Sequence, residues 1–162
     1  MGPGGMDILD GIADSGTMHV YERVFPADRR APRAATAWLR SVMLGLSPSR
    51  LDDAELCLDE LVTNVIRYAW DDPAGHELAV RVERTPSELT VTVQDDGRAF
   101  DPRHAPPPPP AHSLDEAIPG GRGLMLVKAI AQRLDYERRD GRNRVTFGFY
   151  RDRATTDVPT QP

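Results

Sequence analysis

Three small sets of polar residues in this chain of 162 have types and spacings suited to chemistry. Glu60 and Asn64 stand four apart in LDDAELCLDELVTNVIRYAW, Leu51 to Trp70. Nothing there breaks a helix, and a four-residue step on a helix puts two side chains on one face. At roughly 100° per residue, Ala54, Cys57, Leu58, Leu61, Val62, Val65, Ile66 and Ala69 fill one arc, a core-facing stripe. Glu60 and Asn64 fall at its edge. A carboxylate and a carboxamide there are half desolvated, a setting that can hold a metal and a base. The same positions also suit ordinary polar residues at a core boundary. The second set, Asp95-x-Gly97, ends an apolar alternating stretch. An Asp beside a glycine that admits close backbone approach can accept a hydrogen bond from an exocyclic amine such as adenine carries; a simple turn uses the same pair. The third, Gly121-x-Gly123, opens a helical stretch. Unsatisfied N–H groups and the positive end of the helix dipole bind anions, and glycines let phosphate oxygens approach; a flexible helix entry has the same sequence.

Other chemistries lack their residues. No G-x-G-x-x-G follows a first strand and no G-K-[S/T] closes a P-loop. The H-R-D set of protein kinases is missing. Cys57 is the single cysteine, so an intrachain disulfide is excluded, and zinc spacing is absent. His19, His76, His104 and His112 are scattered and carry no assigned role, and Ser113 has no evident base. A net charge of −5 argues against non-specific nucleic-acid binding, which needs a basic surface. No apolar run nears the roughly 20 residues of a membrane span, and MGPGGMDILDGIADSG lacks the basic start and apolar core of a secretory signal. A cytoplasmic protein without direct nucleic-acid or membrane contact is expected.

The elements that must position these residues follow from pattern. Residues 1–15 read as a flexible tail. Met18–Phe25 has strand composition, and Ala31–Leu44 reads as a helix, with Pro32 in its first turn and Ala34, Ala35, Ala37, Trp38, Val42 and Met43 on its apolar side. Ser49 or Asp52 is placed to cap the helix that carries Glu60 and Asn64. Leu78, Val80 and Val82, then Leu89, Val91 and Val93, alternate as two strands of an antiparallel hairpin turning at Thr85–Glu88. A breaker-rich segment of about 98–121 includes five successive prolines, Pro106 to Pro110, and suits either a lid or a polyproline spacer. A third helix runs from Leu124 to about Leu134 with Leu124, Val127, Ala131 and Leu134 inward; Asp135–Arg139 and Val145–Tyr150 form a last hairpin about Asp140-Gly141. Residues 152–162 read as a second tail. The order predicts one α+β domain over 16–151: a two-layer sandwich, its mixed, mostly antiparallel sheet covered on one face by helices.

E-x-x-x-N on a helix, D-x-G after a strand and G-x-G opening a helix together resemble the N, G1 and G2 boxes of the histidine-kinase-like (GHKL, Bergerat) ATPase fold. DELVTNVIRYAW, VQDDGRAFDP and GRGLMLVKAI carry the match. The branch resembled is that of the stand-alone RsbW/SpoIIAB-like anti-sigma factor serine/threonine kinases, which have Glu at the first N-box position, here Glu60. The resemblance implies that Asn64 coordinates Mg²⁺ and that Asp95 binds the adenine amino group of ATP. It implies that Gly97 makes room for the ring, that Thr146 supports the adenine site, and that Gly121 and Gly123 offer N–H groups to phosphates. Glu60 is then the general base toward a partner's Ser or Thr, and the segment 98–120 the ATP lid. The implied partners are an anti-sigma factor antagonist and a sigma factor, with homodimerisation a further expectation. Two departures, Ala99 where a second glycine often stands and the proline run in the lid, motivate an alternative: a nucleotide-responsive partner-binding module with little or no phosphotransfer.

Overall fold

Residues that alternate apolar and polar make a sheet here, and residues that recur every three or four make the layer over it. The chain is described by a computed structural model over residues 7–8, 18–43, 47–72, 75–105 and 122–150. Six strands form one sheet in the order β1-β2-β3-β4-β6-β5, with β1 Asp7–Ile8, β2 His19–Pro26, β3 Glu77–Arg84, β4 Glu88–Asp95, β5 Arg133–Arg139 and β6 Arg142–Tyr150. Every ladder among them is antiparallel, so the parallel pairing that a mixed sheet requires is not found among the described strands. Within the stretch expected as a tail, Asp7 and Ile8 pair with Glu22 and Tyr21 of β2.

The period-two pattern decides the faces. Leu78, Val80 and Val82 of β3, Leu89, Val91 and Val93 of β4, and Val145, Phe147 and Phe149 of β6 are buried on one side. That side is covered by α1 Ala31–Val42 and α2 Pro48–Tyr68, with the short α3 Gly123–Ile130 packed on α2. The stripe of α2 is as expected: Ala54, Cys57, Leu58, Leu61 and Val62 are buried in the core, and Val65 and Ile66 pack against it. Helix α1 differs in detail. Its inward residues are Ala31, Ala35, Trp38, Leu39 and Val42, while Ala34 and Ala37 face outward. Ser47 precedes α2 as its N-cap residue and Pro48 is its first residue, so Ser49 and Asp52, the expected caps, lie within the helix.

The third helix is shorter than its pattern suggests. It ends at Ile130, Ala131 is extended, and Leu134 packs on the core from β5 rather than from a helix. Asp140 (φ 51°) and Gly141 (φ 76°) turn β5 into β6 with the two positive φ values of a tight hairpin, as the sequence predicts. Among the described residues no helix is long and apolar enough to cross a membrane. Gly121, Ser113 and the expected lid from Pro106 to Gly121, including its proline run, lie outside the described residues, as do the tail residues 152–162.

Candidate functional site

Asp95 is the fourth member of the buried row of β4. Leu89, Val91 and Val93 turn toward the helices, and the same alternation carries the Asp95 carboxylate there, 5% exposed. An ionised carboxylate needs donors at that depth. Gly97 N–H and Asn143 Nδ2 both donate to its Oδ1, each at 2.9 Å. Burial pushes the Asp95 carboxyl above its ordinary value, and those two hydrogen bonds pull the other way.

Asn143 was missed by the sequence reading, and it completes this corner. It stands directly opposite Asp95 in the β4–β6 ladder and is 3% exposed. The last strand was expected to start at Val145; it starts at Arg142. Extending the alternation Val145, Phe147, Phe149 back by one step would have put an asparagine on an apolar face, which is the signal to look for. Thr146, given the adenine-supporting role by resemblance, is not in this site. Being one residue from Val145 it faces the other side of the sheet, where its hydroxyl meets that of its cross-strand neighbour Thr92 at 2.8 Å.

In front of Asp95 lies a cavity of about 270 Å³ with apolar walls from Leu61, Val65, Val93 and Val145, and with Asn64, Asp95, Arg98 and Asn143 among its polar members. Pro102 and Phe100 close another side. Their segment is pinned because Asp101 Oδ1 accepts the Arg103 backbone N–H at 3.0 Å and its carboxylate also pairs with the Arg103 guanidinium. A small pocket near the low end of ligand-site size, apolar with one buried acceptor, suits a flat heterocycle bearing an amino group.

Asn64 is shared. Besides the cavity it lines a narrow cleft with Glu60, Thr63, Arg67, Tyr68 and Leu124. The Glu60 carboxylate lies against Gly123, where a Cβ would come within 2.6 Å of its Cδ. So glycine at the head of α3 leaves room for the Glu60 carboxylate in this position, and the N–H groups of that helix start sit beside it. Partial burial and Asp59 raise the Glu60 carboxyl, and Arg67 opposes the rise. Gly97 is also needed for close approach, though to the protein and not to a ligand: a Cβ there would lie 2.5 Å from the Ala69 carbonyl oxygen, and the next residue, Arg98, donates its N–H to that oxygen at 2.8 Å. It is not a wall of the cavity. The loop leaving β4 thus crosses the end of α2, and that crossing brings Asp95 beside Asn64.

No cluster of three or more His, Cys, Asp or Glu suited to a metal occurs among the described residues. A lone carboxamide oxygen at the mouth of a cavity still fits Mg²⁺, which commonly takes one or two protein ligands and completes its shell with water and substrate phosphates. The cavity beside Asp95 and the cleft beside Glu60 are thus neighbours with Asn64 and Tyr68 as common walls, which sets a buried carboxylate, a carboxamide and a carboxylate of raised basicity along one side of α2 and the end of β4.

The profile of the "Histidine kinase-like ATPase domain" family matches residues 25–149. The serine/threonine-protein kinase BtrW of Bordetella bronchiseptica is 41% identical over 94 residues, which are 57% of this chain and 65% of that protein. The serine-protein kinases RsbW of Bacillus velezensis and Bacillus subtilis are 26% and 24% identical over 102 residues, 60% of this chain and 64% of each. The match thus spans a little under two thirds of these relatives' length. A crystal structure of the RsbU and RsbW domains of Rv1364c from Mycobacterium tuberculosis superposes with a TM-score of 0.51 at 15% identity, over 81% of this chain and 33% of that one, a likeness of fold. With most of its length inside that profile, the chain belongs to the histidine kinase-like ATPase domain family.

Proposed function

We propose that the chain is an ATP-dependent protein serine/threonine kinase of the anti-sigma factor type, which phosphorylates an anti-sigma factor antagonist and sequesters a sigma factor in the cytoplasm. The observation that carries this is Asn64 standing as a common wall between the cavity that Asp95 lines and the cleft that Glu60 lines, with Glu60 against the first residue of α3. In this reading Asp95 accepts from the adenine amine, and apolar walls take the ring. Asn64 holds Mg²⁺ through its side-chain oxygen, and the ion neutralises phosphate charge when bound. The N–H groups of Gly121 and Gly123 take phosphate oxygens. The partner's Ser or Thr hydroxyl oxygen attacks the terminal phosphorus, the bond to the bridging oxygen breaks to leave ADP, and the hydroxyl proton passes to Glu60. A carboxyl raised by burial is a better base than an exposed one, which favours Glu60 in this role. The segment 98–121 serves as lid, and two copies associate. The named activities of the relatives, serine/threonine-protein kinase and serine-protein kinase, support the reading.

Incubation with Mg-ATP and a candidate antagonist should yield phosphoserine or phosphothreonine. Glu60→Gln should abolish that product, by at least about a hundredfold for loss of a general base, with ATP affinity retained. Unchanged phosphorylation by Glu60→Gln would remove Glu60 from the mechanism. A second reading, a nucleotide-responsive partner-binding module without phosphotransfer, is favoured by Ala99 at the exit of the Asp95 loop. Transfer of labelled phosphate to any protein substrate decides against it.

A further inference from the structure

Asn143 does more than touch Asp95. Its Oδ1 accepts from Tyr136 OH at 2.9 Å and from Arg138 Nη1 at 2.7 Å, both on the neighbouring strand β5. Two donors on the oxygen leave the amide one orientation, with Nδ2 turned to Asp95 Oδ1 at 2.9 Å and to the Arg98 carbonyl at 2.8 Å. Arg138 Nη1 also donates to the Gly97 carbonyl at 3.0 Å, so the loop that presents Gly97 N–H to Asp95 is held by the same guanidinium. Both donors to Asp95, Asn143 Nδ2 and Gly97 N–H, converge on Oδ1. Oδ2 receives no donor among the described residues, and the carboxylate lines the cavity.

We propose that Asn143, locked by Tyr136 and Arg138, is a specificity-positioning residue: it fixes Oδ1 of Asp95 as the atom spent on the protein and Oδ2 as the atom that reads the base. The inference rests on the adenine-nucleotide reading above and goes beyond it. Position 95 becomes a one-atom selector between 6-amino and 6-oxo purines. An oxygen at the reading atom accepts from a 6-amino group and repels a 6-oxo group. An asparagine at this position is forced by the same two donors to keep its oxygen at the Oδ1 place, which turns its NH₂ into the cavity. That group donates, so it takes a 6-oxo purine and rejects the amine.

Calorimetric titration of the full chain with ATP and with inosine triphosphate tests this. The wild type should prefer ATP by about tenfold to a hundredfold, the range set by one unmatched buried polar contact. Asp95→Asn, which is isosteric and removes a buried charge, should invert the preference in favour of inosine triphosphate. Asn143→Leu changes a cavity wall for both ligands but frees the carboxylate that reads the base, so it should weaken ATP about tenfold more than inosine triphosphate and the ratio should fall; thermal unfolding confirms that each variant is folded. Asp95→Asn that still prefers ATP, or that weakens both ligands in proportion, overturns the proposal. So does Asn143→Leu with an unchanged ratio. A wild type that binds neither triphosphate sinks the nucleotide reading itself, whereas binding of ATP without phosphotransfer leaves this inference standing.

Discussion

Glycines 97 and 123 are both pressed against neighbours, but the neighbours differ. A Cβ at position 123 meets the end of the Glu60 side chain, which can swing aside; one at position 97 meets the Ala69 carbonyl, which cannot. Gly123→Ala is therefore expected to keep most stability and lose phosphotransfer through displaced Glu60, while Gly97→Ala should cost about 1–3 kcal/mol, as overpacking does. Urea unfolding of the two variants beside a kinase assay separates them. Equal destabilisation would contradict the distinction. Titration is also decided residue by residue. Burial raises the carboxyl of Asp95 above its ordinary value. Between the unfolded and the folded value the folded state binds more protons, so this group lowers stability as pH rises through that window. Asp95→Asn should remove that decline, read as urea midpoints of the two proteins converging toward acid pH and separating in favour of the variant above it.

Elements explain what was legible and what was not. The α2 stripe, the β3–β4 hairpin and the Asp140-Gly141 turn were readable because each is a local period or a local backbone requirement. Glu60, Asn64 and Asp95 followed, since each sits at the edge or the end of such a pattern. Asn143 did not, because the early residues of β6 are polar and its partner lies 48 positions away; only cross-strand register joins them. Nor did the contact between Trp70 and His76, whose rings stack at 4.4 Å while Trp70 Nε1 donates to Asp96 at 3.0 Å and His76 Nε2 lies 2.7 Å from Asp72. That clasp fastens the end of α2 to the loop after Asp95. Trp70→Ala should cost about 1–2 kcal/mol, an aromatic pair plus a hydrogen bond, and weaken ATP in parallel. The exposed bidentate pair of Arg40 with Glu55 between α1 and α2 is the contrast: Arg40→Ala should cost under about 1 kcal/mol and leave ATP binding alone. Thermal denaturation with and without nucleotide measures both.

At the scale of the molecule the sheet has two unlike faces. One is apolar and roofed by helices, and the cavity beside Asp95 opens at its margin. The other carries Glu22, Arg81, Glu83 and Arg144 among the threonines of β4 and β6, with Arg81 paired to Glu83 at 2.7 Å and Arg144 bonded to Gln94 at 2.8 Å. Because Thr146 belongs to that second face, Thr146→Val should leave the ATP dissociation constant within about twofold and cost about 1 kcal/mol, the worth of one hydrogen bond; a tenfold loss of affinity would restore it to the adenine site. Phe147, its neighbour on the first face, is fully buried, and Phe147→Ala should cost about 3–5 kcal/mol.

The strand order carries a consequence for how the chain comes to be made. β5 is synthesised before β6, yet among the described strands it pairs with β6 alone, and β6 bridges it to β4. A nascent chain that has emerged as far as β5 holds a strand without its native partner, an open β4 edge and an Asp95 without its cross-strand amide. The corner around Asp95 is therefore completed only when the β5–β6 hairpin docks on β4 as a unit.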